Sequence, residues 1–192
     1  KPLVFLDSAA TTLKPQAVID RMTRFYEYDY GTVRRGVYAL SQEATAMYEG
    51  VRRQAADFFG AASPSEIVFV RGVTEGLNLI AHAYGRAHLE PGDEIIVSHM
   101  EHHANIVPWQ LIGDTGAVLR AAPIDDRGDI DLDALASMMG PKTKIVSIVH
   151  VSNGLGTINP VEAIATMAHD HGAIMIVDGA QSACHMPVDV QA

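Results

Sequence analysis

The run Ile174–Gln181, I-M-I-V-D-G-A-Q, constrains the fold of this chain more than any other stretch. Four apolar residues, two of them Ile and one Val, followed by a Gly-Ala step, predict a strand buried on both faces that ends in a turn. A strand of this kind belongs to a sheet with helices on both sides. Its carboxyl end presents Asp178 and Gln181 to the crevice where open α/β sheets hold ligands. An Asp at that place either serves a ligand or caps the turn that follows, and this stretch alone leaves both readings open.

The rest of the chain alternates in the same style. Residues 1–12 read as a short apolar strand and a turn of small residues. A helix is expected from Pro15 to about Tyr28, with Val18, Ile19, Met22 and Phe25 as its buried face. The following Y-D-Y-G-T-V-R-R-G-V-Y-A-L-S has no helical period and reads as a structured loop. A long helix is expected from Ser41 to Phe59, closed by Gly60. Next come a strand, E-I-V-F-V, a turn at Arg71–Gly72, and a helix whose face is Leu77, Ile80, Ala81 and Tyr84.

Strands are expected again at E-I-I-V-S-H-M, A-V-L-R-A-A-P and K-I-V-S-I-V-H-V, with helices at D-L-D-A-L-A-S-M-M and V-E-A-I-A-T-M-A-H-D-H-G. Strand and helix in alternation predict an α/β fold built on a mostly parallel sheet covered by helices. No fixed-period repeat, low-complexity tract or linker interrupts it, so one domain is expected.

Composition excludes several functions. A formal net charge of −9 offers no basic face for nucleic acid and no attraction to an anionic membrane surface. No apolar run approaches the ~20 residues that span a bilayer, and a cytoplasmic location is expected. The single cysteine, Cys184, permits no internal disulfide and reads as a small hydrophobe.

Polar residues stand at four predicted strand ends: Thr74, the Glu101-His102-His103 group, Asn153, and Asp178 with Gln181. In a parallel sheet they share one rim. The helix start after Gly72 can hold an anion through its N–H groups, with the Thr74 hydroxyl beside them. It is not a dinucleotide or nucleoside-triphosphate loop, since neither glycine pattern is present. An anion-holding turn, an imidazole, amides and a buried carboxylate suit a phosphorylated, nitrogen-containing aromatic cofactor. A metal site from His99, His102, His103 and Asp178 is the alternative, but no H-E-x-x-H or H-x-H pattern supports it.

D-S-A-A-T-T, R-G-V-T-E-G-L-N, M-E-H-H-A-N-I-V-P-W, H-V-S-N-G-L-G-T and V-D-G-A-Q resemble the motifs of the class V aminotransferase group. Within it, the resemblance is closest to the cysteine desulfurases of the SufS/CsdA type. It implies the large domain of a pyridoxal 5'-phosphate (PLP) dependent transferase of fold type I, with residues 1–192 as its N-terminal portion. It further implies that Thr74 binds the cofactor phosphate, and that His102 stacks on the pyridine ring and assists proton transfer. Asp178 would pair with the pyridine nitrogen, Gln181 with the phenolic oxygen, and Asn153 would lie near that oxygen and the substrate carboxylate. Arg35 falls in a loop that the family places near a dimeric active site. A homodimer, L-cysteine as substrate and a sulfur-accepting protein of iron–sulfur cluster assembly are the implied partners.

The departures are as informative. The family's Schiff-base lysine sits in an S-G-H-K-like motif beyond the aspartate, and Lys1, Lys14, Lys142 and Lys144 match no such motif. The family's catalytic cysteine also lies further on, and Cys184 is not at its place. The expectation is therefore the N-terminal part of a longer enzyme, inactive by itself. Val73 and Arg34 replace a hydroxyl residue and a histidine that are common in close relatives. Selenocysteine lyase, epimerase or kynureninase-like chemistry, or a non-catalytic fragment, are the remaining alternatives.

Overall fold

A computed structural model describes residues 3–191, which group into two compact units. One contains the residues up to Val68 together with those from Val188 onward, and the other is Phe69–Pro187.

The first unit is helical. Helix α1 (Gln16–Arg24) continues into a π-helical turn, Phe25–Asp29, and α2 spans Ala39–Phe59. Gly60 ends α2 at φ 67°, a left-handed conformation that glycine adopts without a side-chain penalty. Helix α2 begins at Ala39, ahead of the expected Ser41, because the Tyr38 carbonyl already accepts the Ser41 and Gln42 N–H groups (3.0 and 3.2 Å), which leaves the Ser41 hydroxyl to donate to the Thr32 carbonyl (2.5 Å). In that loop Arg34 has φ 68° and its guanidinium pairs with Glu49. The expected buried face of α1 is exposed: Val18, Ile19 and Met22 are 44%, 45% and 56% accessible, since no element among the described residues covers them.

The second unit carries the sheet. Helix α3 (Val73–Ile80) runs through a π-helical turn (Ala81–Gly85) into α4 (Arg86–His88). After these come β1 (Glu94–Ser98), α5 (Val107–Leu111), β2 (Val118–Ala122), α6 (Leu132–Met138), β3 (Thr143–Val149), α7 (Val161–Asp170) and β4 (Ile174–Asp178). The strands are parallel in the order β2-β1-β3-β4. Side chains alternate across a strand, so the sheet has two apolar faces. Ile96, Val146 and Ile148 pack with Leu135 of α6 and Ile164 and Ala168 of α7. Ile95, Val97, Ile145 and Ile176 pack with Leu77 of α3 and Trp109 of α5. This is the parallel sheet with helices on both sides that the alternation predicts.

Two predicted strands are absent. Residues 3–6 and 67–70 form no ladder among the described residues, and Leu3, Leu6 and Val68 are 92%, 89% and 65% exposed. Apolar, β-branched composition makes a segment suitable for a sheet, but a strand exists only where a neighbour takes its backbone hydrogen bonds. The same limit applies to β4. It pairs only with β3 among the described residues, and Val177 is 43% exposed instead of buried.

Ile148, fully buried near the carboxyl end of β3, tests the core directly. Ile148→Ala is expected to destabilise the protein by about 2–5 kcal/mol, read as a lower urea midpoint with an unchanged denaturant slope.

Candidate functional site

Three parallel strands, β1, β3 and β4, end on the same rim, with Val149 of β3 in register with Asp178 of β4. Asp178 shares the face of β4 that carries Ile174 and Ile176, the face covered by α3 and α5. It is 4% exposed, and its Oδ1 accepts the Ala180 N–H at 3.0 Å, so the turn after the strand orients the carboxylate. Among the described residues no lysine, arginine or histidine nitrogen lies within ion-pair distance of it. Gln181 follows in the same turn and is half-buried.

Beyond β1 the chain turns through Met100–Asn105, ending in a 3-10 turn at His103–Asn105. His102 caps that turn: its Nδ1 accepts the Ala104 N–H at 3.1 Å while the ring remains exposed. The hydrogen bond fixes the neutral tautomer with the proton on Nε2. The His103 ring lies 6.1 Å away at 82°. Among the described residues no three His, Cys, Asp or Glu gather as metal ligands.

Thr74 lies in the first turn of α3, exposed in a shallow groove with Arg71, Gly72, Glu75 and Asn78. Glu75 accepts the Arg71 N–H (2.6 Å) and pairs with its guanidinium (3.0 Å), and these contacts hold the Glu75 carboxyl below its usual range. Val73 packs on the apolar cluster that contains Ile176 of β4 and Ala104 of the His102 turn. The start of α3 is thereby fixed on the same side of the sheet as Asp178. Asn153 lies at the exposed tip of the loop after β3, whose base is closed by the Val151–Ile158 bridge and by Ser152 N–H to Thr157 O (2.9 Å).

The residue that sequence reasoning underrates is Glu101. Its carboxylate is buried and accepts from Ser98 Oγ (2.5 Å), Asn105 Nδ2 (2.7 Å) and the Val149 N–H (3.0 Å). Asn105 in turn accepts from Trp109 Nε1 (3.2 Å) and Ser147 Oγ (2.5 Å) and donates to Ser147 O (3.1 Å). Burial pushes the Glu101 carboxyl above the usual carboxylate range, against the downward pull of its three donors, and the Asp178 charge adds to the upward push. A sequence signal existed in the i, i+4, i+8 spacing of Glu101, Asn105 and Trp109, which places polar groups along one side of a helical turn.

A buried carboxylate, a capped imidazole, a helix start and an amide-bearing loop around the carboxyl ends of a parallel sheet define an α/β protein with a candidate ligand site at the strand ends. The family model for aminotransferase class-V matches residues 4–192, and the chain belongs to that family. It is 53% identical over 191 residues to a probable cysteine desulfurase of Mycolicibacterium paratuberculosis, covering 99% of this chain and 28% of that one. It is 52% identical to a cysteine desulfurase of Klebsiella pneumoniae, covering all of this chain and 48% of that one. The chain thus spans half or less of the length of these relatives.

Among solved structures, the cysteine desulfurase CsdA of Escherichia coli superposes with a TM-score of 0.87 at 42% identity, over 97% of this chain and 47% of that one. The apo cysteine desulfurase of Thermococcus onnurineus NA1 does so with 0.91 at 41%, over 96% of this chain and 46% of that one.

Removing Asn105 strands the Trp109 and Ser147 donors and one Glu101 oxygen. Each buried group left unsatisfied costs about 1–3 kcal/mol, so Asn105→Ala is expected to lower unfolding free energy by more than ~2 kcal/mol, measured by denaturant titration.

The raised Glu101 carboxyl also predicts a pH effect. The folded state holds that proton more tightly than the unfolded chain, so this contribution to stability is complete below the ordinary glutamate value of 4.5 and is lost as pH rises through the folded value. The stability of the native protein relative to Glu101→Gln should therefore fall as pH is raised from 4.5 toward neutrality. Denaturation series of both proteins across that range would show a flat difference if Glu101 titrated normally.

Proposed function

We propose that this chain is the N-terminal portion of the cofactor-binding large domain of a PLP-dependent cysteine desulfurase, converting L-cysteine to L-alanine with transfer of the sulfur to an enzyme thiol. The observation that carries the reading is Asp178, a buried carboxylate at a strand end with no cation beside it among the described residues. A carboxylate removed from water needs a charged or strongly donating partner. A protonated pyridine nitrogen supplies one, and the donor set around it fits the rest of the group.

In this reading Asp178 holds the proton on the pyridine nitrogen. Thr74 and the first N–H groups of α3 hold the phosphate. The His102 imidazole stacks on the ring and offers its Nε2 proton, while Gln181 and Asn153 serve the ring oxygen and the substrate carboxylate. When bound, pyridoxal phosphate supplies an electron sink for the bonds at the substrate's α-carbon. The Arg71–Glu75 pair sets a requirement on phosphate binding, because the Glu75 carboxylate already occupies donors at the mouth of the α3 groove.

The names of the relatives support cysteine as the substrate, and so does a neighbour at 29% identity and TM-score 0.88, described as SspA in complex with cysteine. We further infer a homodimer that passes sulfur to an acceptor protein for iron–sulfur cluster assembly in the cytoplasm. Among the described residues no helix is long and apolar enough to cross a membrane. Neither the Schiff-base lysine nor the sulfur-carrying cysteine is assigned to this chain; Cys184, read from the sequence as a small hydrophobe, is exposed instead of buried.

Titration with pyridoxal phosphate, followed by induced circular dichroism in the cofactor's absorption band, tests the reading. A charge-assisted hydrogen bond contributes about 1.5–3 kcal/mol, so Asp178→Asn is expected to weaken binding on the order of tenfold to a hundredfold. Equal affinity of the native and Asp178→Asn proteins would refute the assignment.

A further inference from the structure

Glu101 lies next to His102 in the chain and close enough to Asp178 for their charges to interact, yet the proposed chemistry gives it no task. Its three donors come from the end of β1 (Ser98), from the far side of the His102 turn (Asn105) and from the last residue of β3 (Val149). The carboxylate thus clamps both ends of the 98–105 turn and fastens it to the neighbouring strand. Within that turn the His102 ring is fixed by the Ala104 N–H, one residue from Asn105. All three partners donate to the carboxyl oxygens, and a neutral amide at position 101 would point a donor at Asn105 Nδ2.

We propose that Glu101 is a positioning residue of the pyridoxal phosphate site, fixing the turn so that His102 keeps Nδ1 as acceptor and a proton on Nε2. The inference rests on the cofactor reading above, and the experiment separates the two. Its probe is the nitrogen chemical shifts of His102 in the ¹⁵N-labelled protein above the imidazole titration, together with amide exchange at Ala104 and a pyridoxal phosphate titration.

The native protein is expected to show the Nε2–H pattern. Glu101→Gln, which keeps the side chain's size, is expected to remain folded but to shift His102 toward a mixture of tautomers. The Ala104 amide should then exchange on the order of tenfold faster, the scale set by losing a hydrogen bond to a charged group, and the cofactor should bind severalfold more weakly.

A Glu101→Gln protein with a lower melting temperature but the native His102 pattern and native cofactor affinity overturns the proposal and leaves the cofactor reading standing. A native protein with the Nε2–H pattern that binds no cofactor overturns the cofactor reading, and the proposal falls with it.

Discussion

The hydrogen bond from the Val149 N–H to the Glu101 carboxylate joins the sheet to the site. Strand β3 is the central pairing element, with β1 on one side and β4 on the other, and its last residue is in register with Asp178. That N–H goes to the turn beyond β1, so the turn carrying His102 is referenced to the strand that also positions Asp178. The next N–H, of His150, goes to the Asp178 carbonyl at 2.9 Å. Consecutive amides at the end of β3 thus fix the two chemically important strand ends. This is a rigid way to build a site from residues far apart in sequence.

The apolar core also sets the environment of the rim. Leu77, Ala81 and Trp109 belong to the cluster on the face of the sheet that carries Asp178, and Asp178 is 4% exposed. Helices α6 and α7 close the opposite face with Leu135, Ile164 and Ala168. Asn159 completes the frame: its Nδ2 donates to the Val149 carbonyl at 2.7 Å and contacts Met100 Sδ at 3.2 Å, tying the base of the Asn153 loop to the same strand end.

Much of this was legible in the sequence, for identifiable reasons. The strands at 94–98, 118–122, 143–149 and 174–178 are short apolar runs bounded by turn residues, and the helices at 132–138 and 161–170 carry clear periodicity, whereas the five-residue helix α5 at 107–111 is too short to show one. Glycine stops were equally readable, as at Gly60 and Gly172, both with positive φ. The failures share a cause. Residues 67–70 and the apolar side of α1 have the composition of buried elements, but composition does not say whether a partner is within reach, and none covers them among the described residues. The candidate site was readable as a set of strand-end residues. Its electrostatic order was not, because Glu101 beside two histidines reads as a surface residue until the fold brings the Val149 N–H and the Asn105 amide to it.

The two buried carboxyls at the rim show how environment divides labour between like groups. Glu101 is surrounded by donors that belong to the fold, so its interactions are spent on structure. Asp178 takes the Ala180 N–H of its own turn and has no cation of the fold beside it among the described residues, which in the proposed reading leaves it to the ligand. Their mutual repulsion, visible as the upward push that Asp178 exerts on Glu101, is relieved when a positively charged group sits against Asp178. Binding such a ligand therefore stabilises both carboxylates at once, and coupling between the site and the framework that holds His102 follows from charge alone.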